Sequence, residues 1–174
     1  MEKRGKHSYG KPQIFHWGEG AKLIIGNFCS IAKGCKIYLG GNHRTDWVTT
    51  YPFGHISKKI FNKFRGKGHP STKGNVIIGN DVWIGGNVTI MSGVKIGDGA
   101  VIANNSHIIK DVRPYNIVGG NPQQFIKLRF TEKQIDDLLK IKWWLWEDEK
   151  INNHTKLLCN TNINNFIDTV LYKK

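Results

Sequence analysis

Apolar residues recur along this chain neither at the 3.6-residue spacing of a helix nor in the alternation of a half-buried strand, but every six residues. Isoleucine stands at 78, 84, 90, 96, 102 and 108 without a break, and earlier at 25, 31 and 37. With 22 isoleucines in 174 residues, six successive hits by chance are on the order of one in 10⁵ to 10⁶ per starting point. The spacing is therefore a repeat, and it governs how the rest is read. A second column lies four residues after each isoleucine: Cys29, Cys35, Gly41, Val82, Val88, Val94, Ala100, Ser106 and Val112, all small or β-branched. Glycine often follows the isoleucine directly, at 26, 79, 85 and 97. A period of six predicts a short strand and a bend, repeated. Three such strands make an 18-residue coil in which Ile78 stacks on Ile96, Ile84 on Ile102 and Ile90 on Ile108. Backbone hydrogen bonds then run along the axis, as in a parallel sheet. Glycine after isoleucine is expected to let the backbone turn without a Cβ clash.

The repeat has an interruption and an end. Residues 7–42 read as the first coils, the earliest one degenerate. Residues 43–75 break the pattern for longer than an ordinary connection. This insertion carries three histidines and many aromatics, so it reads as a functional loop rather than a disordered one. Residues 76–113 resume the coils, and Pro114 with Gly119-Gly120-Asn121-Pro122 ends them with turn chemistry. Thr131-Glu132-Lys133-Gln134 matches a capping box, and Ile135, Leu138 and Leu139 give the helix it starts an apolar face. Trp143, Trp144 and Trp146 follow, then one or two further helices. The expected organisation is a β-solenoid domain over 1–130 with its insertion at 43–75, and a helical extension over 131–174. The extension is expected to cap one end, its tryptophans packing on the solenoid or on a neighbouring subunit.

Composition narrows the function classes. Lys and Arg number 26 against 13 Asp and Glu, but the charges are spread along the chain with no recognisable nucleic-acid module, so no nucleic-acid partner is expected. The excess suits a phosphate-rich cofactor or an anionic sugar. No apolar run reaches the roughly 18 residues of a membrane span, and the first residues hold no signal-like apolar stretch. A cytoplasmic protein without membrane insertion is expected. Three cysteines cannot all pair and read as free thiols, with Cys29 and Cys35 as interior filler.

The units I-G-N-F-C-S, I-G-N-D-V-W, I-G-G-N-V-T and I-G-D-G-A-V resemble those of the hexapeptide-repeat acyltransferases. The resemblance implies a left-handed parallel β-helix. That hand is not derivable from periodicity, since parallel crossovers are otherwise right-handed. The stretch Gly41-Asn42-His43-Arg44-Thr45-Asp46-Trp47-Val48-Thr49-Thr50-Tyr51-Pro52-Phe53, with Gly79-Asn80-Asp81-Val82-Trp83-Ile84-Gly85 and Val118-Gly119-Gly120-Asn121-Pro122, is similar to the signature of the xenobiotic acetyltransferase branch. That branch includes the CatB-related chloramphenicol and the streptogramin O-acetyltransferases and similar sugar acetyltransferases. The likeness spans about residues 7–150.

It implies an acetyl-CoA-dependent O-acetyltransferase with no metal, acting on a hydroxyl of a sugar, a polysaccharide unit or an antibiotic. It implies a homotrimer with active sites between subunits, and His43 as catalytic base. The chemistry agrees: a neutral alcohol is a weak nucleophile, and an imidazole titrating near neutrality can remove its proton as the oxygen attacks a thioester. The resemblance carries CoA contacts onto Gly86, Asn104, Ile109, Lys110 and Lys127. Asn42, Asp46, Trp47 and Tyr51 surround His43 as acceptor contacts. At the position where relatives have an oxyanion donor, Gly86 offers only a backbone N–H. His69, in Gly68-His69-Pro70, reads as structural. Basic charge and short length lean the acceptor toward a saccharide. Three alternatives stay open: an N-acetyltransferase for a nucleotide-linked amino sugar, a γ-carbonic-anhydrase-like zinc enzyme using histidines of the insertion, and a non-catalytic solenoid. The last fits poorly with the irregular outward column Ser30, Lys36, Trp83, Thr89, Lys95, Val101, His107 and Arg113.

Overall fold

A computed structural model describes residues 2–172. The chain visits three parallel sheets in turn. The first holds β1 (Glu2–Arg4), β3 (Leu23–Ile25), β6 (Val76–Ile78) and β9 (Lys95–Ile96). The second holds β4 (Ser30–Ile31), β7 (Trp83–Ile84), β10 (Val101–Ile102) and β12 (Asn116–Gly119). The third holds β2 (Gln13–Phe15), β5 (Lys36–Tyr38), β8 (Thr89–Ile90) and β11 (His107–Ile108). Register follows the isoleucine column: Ile78 lies beside Ile96, Ile84 beside Ile102 and Ile90 beside Ile108. Every isoleucine of that column is buried, and so are Cys29, Cys35, Val82, Val88, Val94, Ala100 and Ser106. The apolar members form one continuous core. Strands of two or three residues make few ladder bonds each, so the stacked side chains, worth about 1.5–3 kcal/mol apiece, hold the coils in line. Burial pushes the Cys29 and Cys35 thiols up, and both are free, as is the exposed Cys159.

Glycine after isoleucine serves a purpose other than turning. The left-handed residue falls two positions later, at Phe28, Asp81, Asn87 and Gly99, with φ of 58°, 53°, 58° and 68°. The glycines themselves are pressed against the next coil: a Cβ on Gly26 would lie 2.4 Å from the Gly79 carbonyl oxygen, and one on Gly79 2.6 Å from Asp98 Oδ1. Between glycine and left-handed residue, a side-chain acceptor sits at 27, 80 and 98. Asn27 Oδ1 accepts from the Lys6 N–H, Asn80 Oδ1 from the Asn27 N–H and Asp98 Oδ1 from the Asn80 N–H, at 2.9, 2.8 and 2.7 Å. This ladder satisfies N–H groups that the bend removes from the strands.

The solenoid starts before residue 7, since Glu2–Arg4 pairs with Leu23–Ile25. Its first coil is degenerate, as expected: Glu2 pairs with Leu23 and Gln13 with Lys36, each across more chain than a regular coil spans. At the far end the coils continue past Pro114 into β12, and an antiparallel strand, β13 (Gln124–Leu128), closes the second sheet. The last coil is short. Ile96 pairs with Val112 and Ile102 with Val118, each closer along the chain than the pairs Ile78–Ile96 and Ile84–Ile102 of the coil before. Val112 therefore occupies an isoleucine position, not the small-residue position that an unbroken period assigns to it.

The C-terminal segment forms α1 (Glu132–Ile141), a 3₁₀ turn at Trp143–Leu145, α2 (Asp148–Leu158), α3 (Ile163–Ile167) and a π turn at Asp168–Tyr172. Thr131 and Gln134 form the expected capping box. The tail does not cap an end. It runs lengthwise along one corner, touching successive levels. Lys6 and His7 bind Asp148, and the Asn27 side-chain amide donates to the Trp144 carbonyl at 3.0 Å. The Phe28 ring lies 4.9 Å from Trp143, and Tyr115 shares a second core with Trp144, Leu138 and Phe166. Large corner residues at Phe28 and Tyr115 make an apolar edge, and the tail covers it. No helix among the described residues is long and apolar enough to cross a membrane.

Arg129 fastens the start of this tail. Its guanidinium donates to the Gly99 carbonyl at 2.7 Å and to Asp81 Oδ2 at 3.3 Å, and lies over the Tyr115 and Phe130 rings. Burial pushes the Asp81 carboxyl up, and Arg129 pulls it back. A carboxyl raised above its unfolded value costs stability above its folded pKa, and the cost disappears as pH falls through that value. Arg129→Ala removes the pull and raises Asp81 further. Thermal melts are therefore expected to show a larger deficit for Arg129→Ala at about pH 8 than at about pH 4.5. Equal deficits would assign Arg129 to packing alone.

Candidate active site

The insertion enters after β5, so that β3 pairs with β6 (Leu23 with Val76) across the whole of it rather than across a single coil. Its base is pinned. Asn42 and Ser71 exchange backbone hydrogen bonds of 3.0 and 2.9 Å, and Asn42 Nδ2 donates to Ser92 Oγ at 3.0 Å, tying the pair to the turn after β8. Glu19 braces the approach: Oε1 accepts from the Gly41 N–H at 2.6 Å and Oε2 from the Trp17 N–H at 2.9 Å. Burial pushes the Glu19 carboxyl up, but these N–H bonds outweigh it and hold it below the usual range.

His43 is the first residue past this pinned base and is exposed. Its Nδ1 lies 2.8 Å from the Thr50 carbonyl oxygen. A carbonyl can only accept, so Nδ1 carries the hydrogen, and in the neutral ring Nε2 keeps its lone pair. An available lone pair on an exposed imidazole is what a general base requires.

Asp46 is engaged with Arg44, whose Nε donates to Oδ1 at 2.6 Å while a second nitrogen reaches Oδ2. The hydrogen bond and charge of Arg44 hold the Asp46 carboxyl below its ordinary value. The Arg44 guanidinium lies 5.5 Å above the Trp47 ring. Trp47, Thr49, Tyr51, Phe53 and Phe64 line an apolar recess of about 280 Å³. Tyr51 packs on Phe53 at 4.7 Å, and its hydroxyl lies 3.3 Å from Ser57 Oγ. Of the four acceptor-contact residues, Trp47 and Tyr51 thus meet in one recess. Asn42 braces the loop base, and the Asp46 carboxylate is committed to Arg44.

The five residues assigned to CoA fall into three groups. Gly86 and Asn104 are joined, the Gly86 N–H donating to Asn104 Oδ1 at 2.8 Å. That bond occupies the amide considered for an oxyanion. Ile109 and Lys110 form the exposed turn that makes the last coil short, braced by Gln123: Oε1 accepts from the Ile109 N–H and Nε2 donates to the Lys110 carbonyl, both at 2.6 Å. Lys127 stands exposed on β13, in register with Ile117. Two exposed ammoniums and an exposed isoleucine suit a ligand with phosphates and an apolar arm.

His69 escaped the sequence reading as a site residue. Its ring centroid lies 5.0 Å from that of His43, at 76°. Burial and the neighbouring His43, Arg44 and His55 hold its pKa below the ordinary value. The sequence offered only a histidine between Gly68 and Pro70, which reads as structural. Among the described residues no three His, Cys, Asp or Glu side chains gather as a metal set. A larger apolar cavity of about 390 Å³ lies between the tail and the corner, lined by Phe28, Trp143 and Leu158. No histidine lines it, and its charged groups, Asp81 and Arg129, are paired with each other. It is a packing seam.

Comparison with known proteins bears on the family. The family model described as bacterial transferase hexapeptide (six repeats) matches residues 75–110. A probable macrolide acetyltransferase of Lysinibacillus sphaericus is 52% identical over 145 residues, covering 80% of this chain and 78% of the relative. A chloramphenicol acetyltransferase of Klebsiella aerogenes is 47% identical over 145 residues, covering 82% of this chain and 68% of the relative. The crystal structure of a hexapeptide-repeat acetyltransferase from Vibrio cholerae, complexed with acetyl coenzyme A, is similar with a TM-score of 0.56 at 26% identity. That match covers 75% of this chain and 61% of the other, so the chain spans under two thirds of that structure.

Proposed function

The chain belongs to the hexapeptide-repeat acetyltransferases, and on that premise we propose that it moves an acetyl group from acetyl-CoA to a hydroxyl of a small antibiotic-like acceptor, with His43 as general base. The observation that carries the reading is the Thr50 carbonyl on His43 Nδ1, which leaves Nε2 free on an exposed imidazole, in the same insertion that forms an aromatic recess. His43 Nε2 takes the hydroxyl proton as the acceptor oxygen attacks the thioester carbonyl. The imidazolium so formed is stabilised by the same Thr50 carbonyl. When the carbon–sulfur bond breaks, the proton passes to the departing thiolate, and His43 returns to its starting tautomer. No acyl-enzyme is needed.

The recess formed by Trp47, Tyr51, Phe53 and Phe64 favours an acceptor with a flat apolar group. With the names of the relatives, this moves the preference from a plain saccharide toward a chloramphenicol- or macrolide-type alcohol. Binding such a molecule in an apolar recess gains from desolvation, while the hydroxyl is oriented toward His43. The same proposal includes a left-handed coil over 1–130 with a helical extension over 131–174. It also includes CoA lying along Gly86, Asn104, Ile109, Lys110 and Lys127, in a groove shared with a second subunit of a cytoplasmic trimer.

The test is thiol release from acetyl-CoA across chloramphenicol, a macrolide, maltose and an amino sugar. Turnover is expected with the apolar alcohols at kcat/KM at least tenfold above maltose. Turnover with the amino sugar alone would replace this reading with N-acetylation, and no thiol release with any acceptor would remove it.

A further inference from the structure

We propose that His69 is a positioning residue that locks the imidazole plane of His43; this rests on the reading of His43 as the general base. One hydrogen bond, from Nδ1 to the Thr50 carbonyl, fixes a point on the His43 ring but leaves it free to swing about that bond. A second contact stops the swing. His69 supplies it in a T-shaped contact, with centroids 5.0 Å apart and planes at 76°.

His69 is itself held on two other sides. Its Nδ1 faces the Arg44 N–H at 3.3 Å. A backbone N–H can only donate, so the His69 hydrogen sits on Nε2 and the ring is neutral. The ring also packs on Trp47, with centroids 5.0 Å apart at 81°. Trp47 is clamped in turn by the Phe64 ring at 5.8 Å and by the Arg44 guanidinium, which Asp46 pins. The backbone is cut to fit, because a Cβ on Gly68 would lie 2.7 Å from the Trp47 ring. Asp46, Arg44, Trp47, His69 and His43 thus form one chain of contacts running through the insertion.

His69 Nε2 is buried and has no hydrogen-bond partner among the described residues. A polar nitrogen without a partner costs stability, and such costs gather where geometry serves function. Nε2 makes no contact that explains the residue; the ring packed against His43 does. A flat uncharged ring at position 69 should therefore do the same work, and a side chain without a ring should not.

The experiment compares His69→Ala, His69→Leu, His69→Phe and His43→Ala in steady-state acetyl transfer to a hydroxyl acceptor, with the fold checked by circular dichroism. His69→Ala is expected to lower kcat at least tenfold while KM for acetyl-CoA stays within twofold, and His69→Phe to recover kcat to within about threefold of the parent. His69→Leu replaces the alanine variant if the latter does not fold, with the same expectation. A kcat within twofold of the parent in His69→Ala or His69→Leu, with turnover lost in His43→Ala, overturns the positioning role alone. A His69→Phe variant no better than His69→Ala overturns the proposal in this form, since the Nδ1 bond to the Arg44 N–H, which phenylalanine lacks, would then be what matters. Retained turnover in His43→Ala overturns the base assignment, and the positioning role with it.

Discussion

Replacing His43 with alanine is expected to lower kcat for acetyl transfer to a hydroxyl acceptor at least a hundredfold, within the 10²–10⁴ range of a positioned general base. Alanine removes the Nε2 lone pair and the Nδ1 bond to Thr50 together, so the hydroxyl must attack with its proton still attached. Binding of acetyl-CoA should hold, because His43 lies outside the residues assigned to it. Single-turnover kinetics with saturating acetyl-CoA separate the two effects: the chemical step slows and the dissociation constant does not move. Raising pH should not restore the variant below the range where the acceptor hydroxyl itself ionises. An amine acceptor arriving deprotonated would need His43 far less, so the ratio of the two losses also distinguishes O- from N-transfer. Turnover within tenfold of the parent on a hydroxyl acceptor would refute the assignment.

The second large effect is on the fold. Ile84 is fully buried, with Ile31 below and Ile102 above in the second sheet. Ile84→Ala removes most of a side chain from a stack whose neighbours are held by backbone pairing on both sides, so the coils cannot close the gap. The expected cost is about 2–5 kcal/mol, a fall in melting temperature of roughly 5–15 °C for a chain of this size. Ile84→Val should cost about 0.5–1.5 kcal/mol. The pair separates a packing column from a surface one: a loss below about 1 kcal/mol for alanine would mean that the column does not carry the core. Denaturant melts of both variants settle it.

The repeat was legible because the physics behind it is local and periodic. Each isoleucine meets the same surroundings as the one a coil away, so the signal accumulates down the column. His43 was legible by another route, through the run of residues around it and the chemistry its imidazole suits. His69 was not. It lies near the far end of the insertion that His43 begins, in a segment without a period. Only the folded insertion, drawn together by the Asn42–Ser71 bridge, brings the two rings into contact. The same holds for Glu19, whose carboxylate reaches Gly41 across the first coil.

Two expectations missed for reasons that are themselves informative. The six-residue period put Val112 in the small-residue column, but the last turn is shorter than the others and moves Val112 beside Ile96. Counting residues cannot detect a shortened turn that keeps a plausible side chain in each slot. The glycines after isoleucine were read as turn residues, whereas the coil above forbids a Cβ there. The constraint is steric contact between levels, which exists only once the levels are stacked.

From the chain alone came the stack of isoleucines, the place where it is interrupted, the capped helix that follows it and the histidine at the start of the interruption. These depend on spacing and residue type, which covalent order already contains. Folding in three dimensions decided where the tail docks, along a corner and not over an end, and which groups surround His43. Those depend on contacts between residues far apart in the chain, and no periodicity records them.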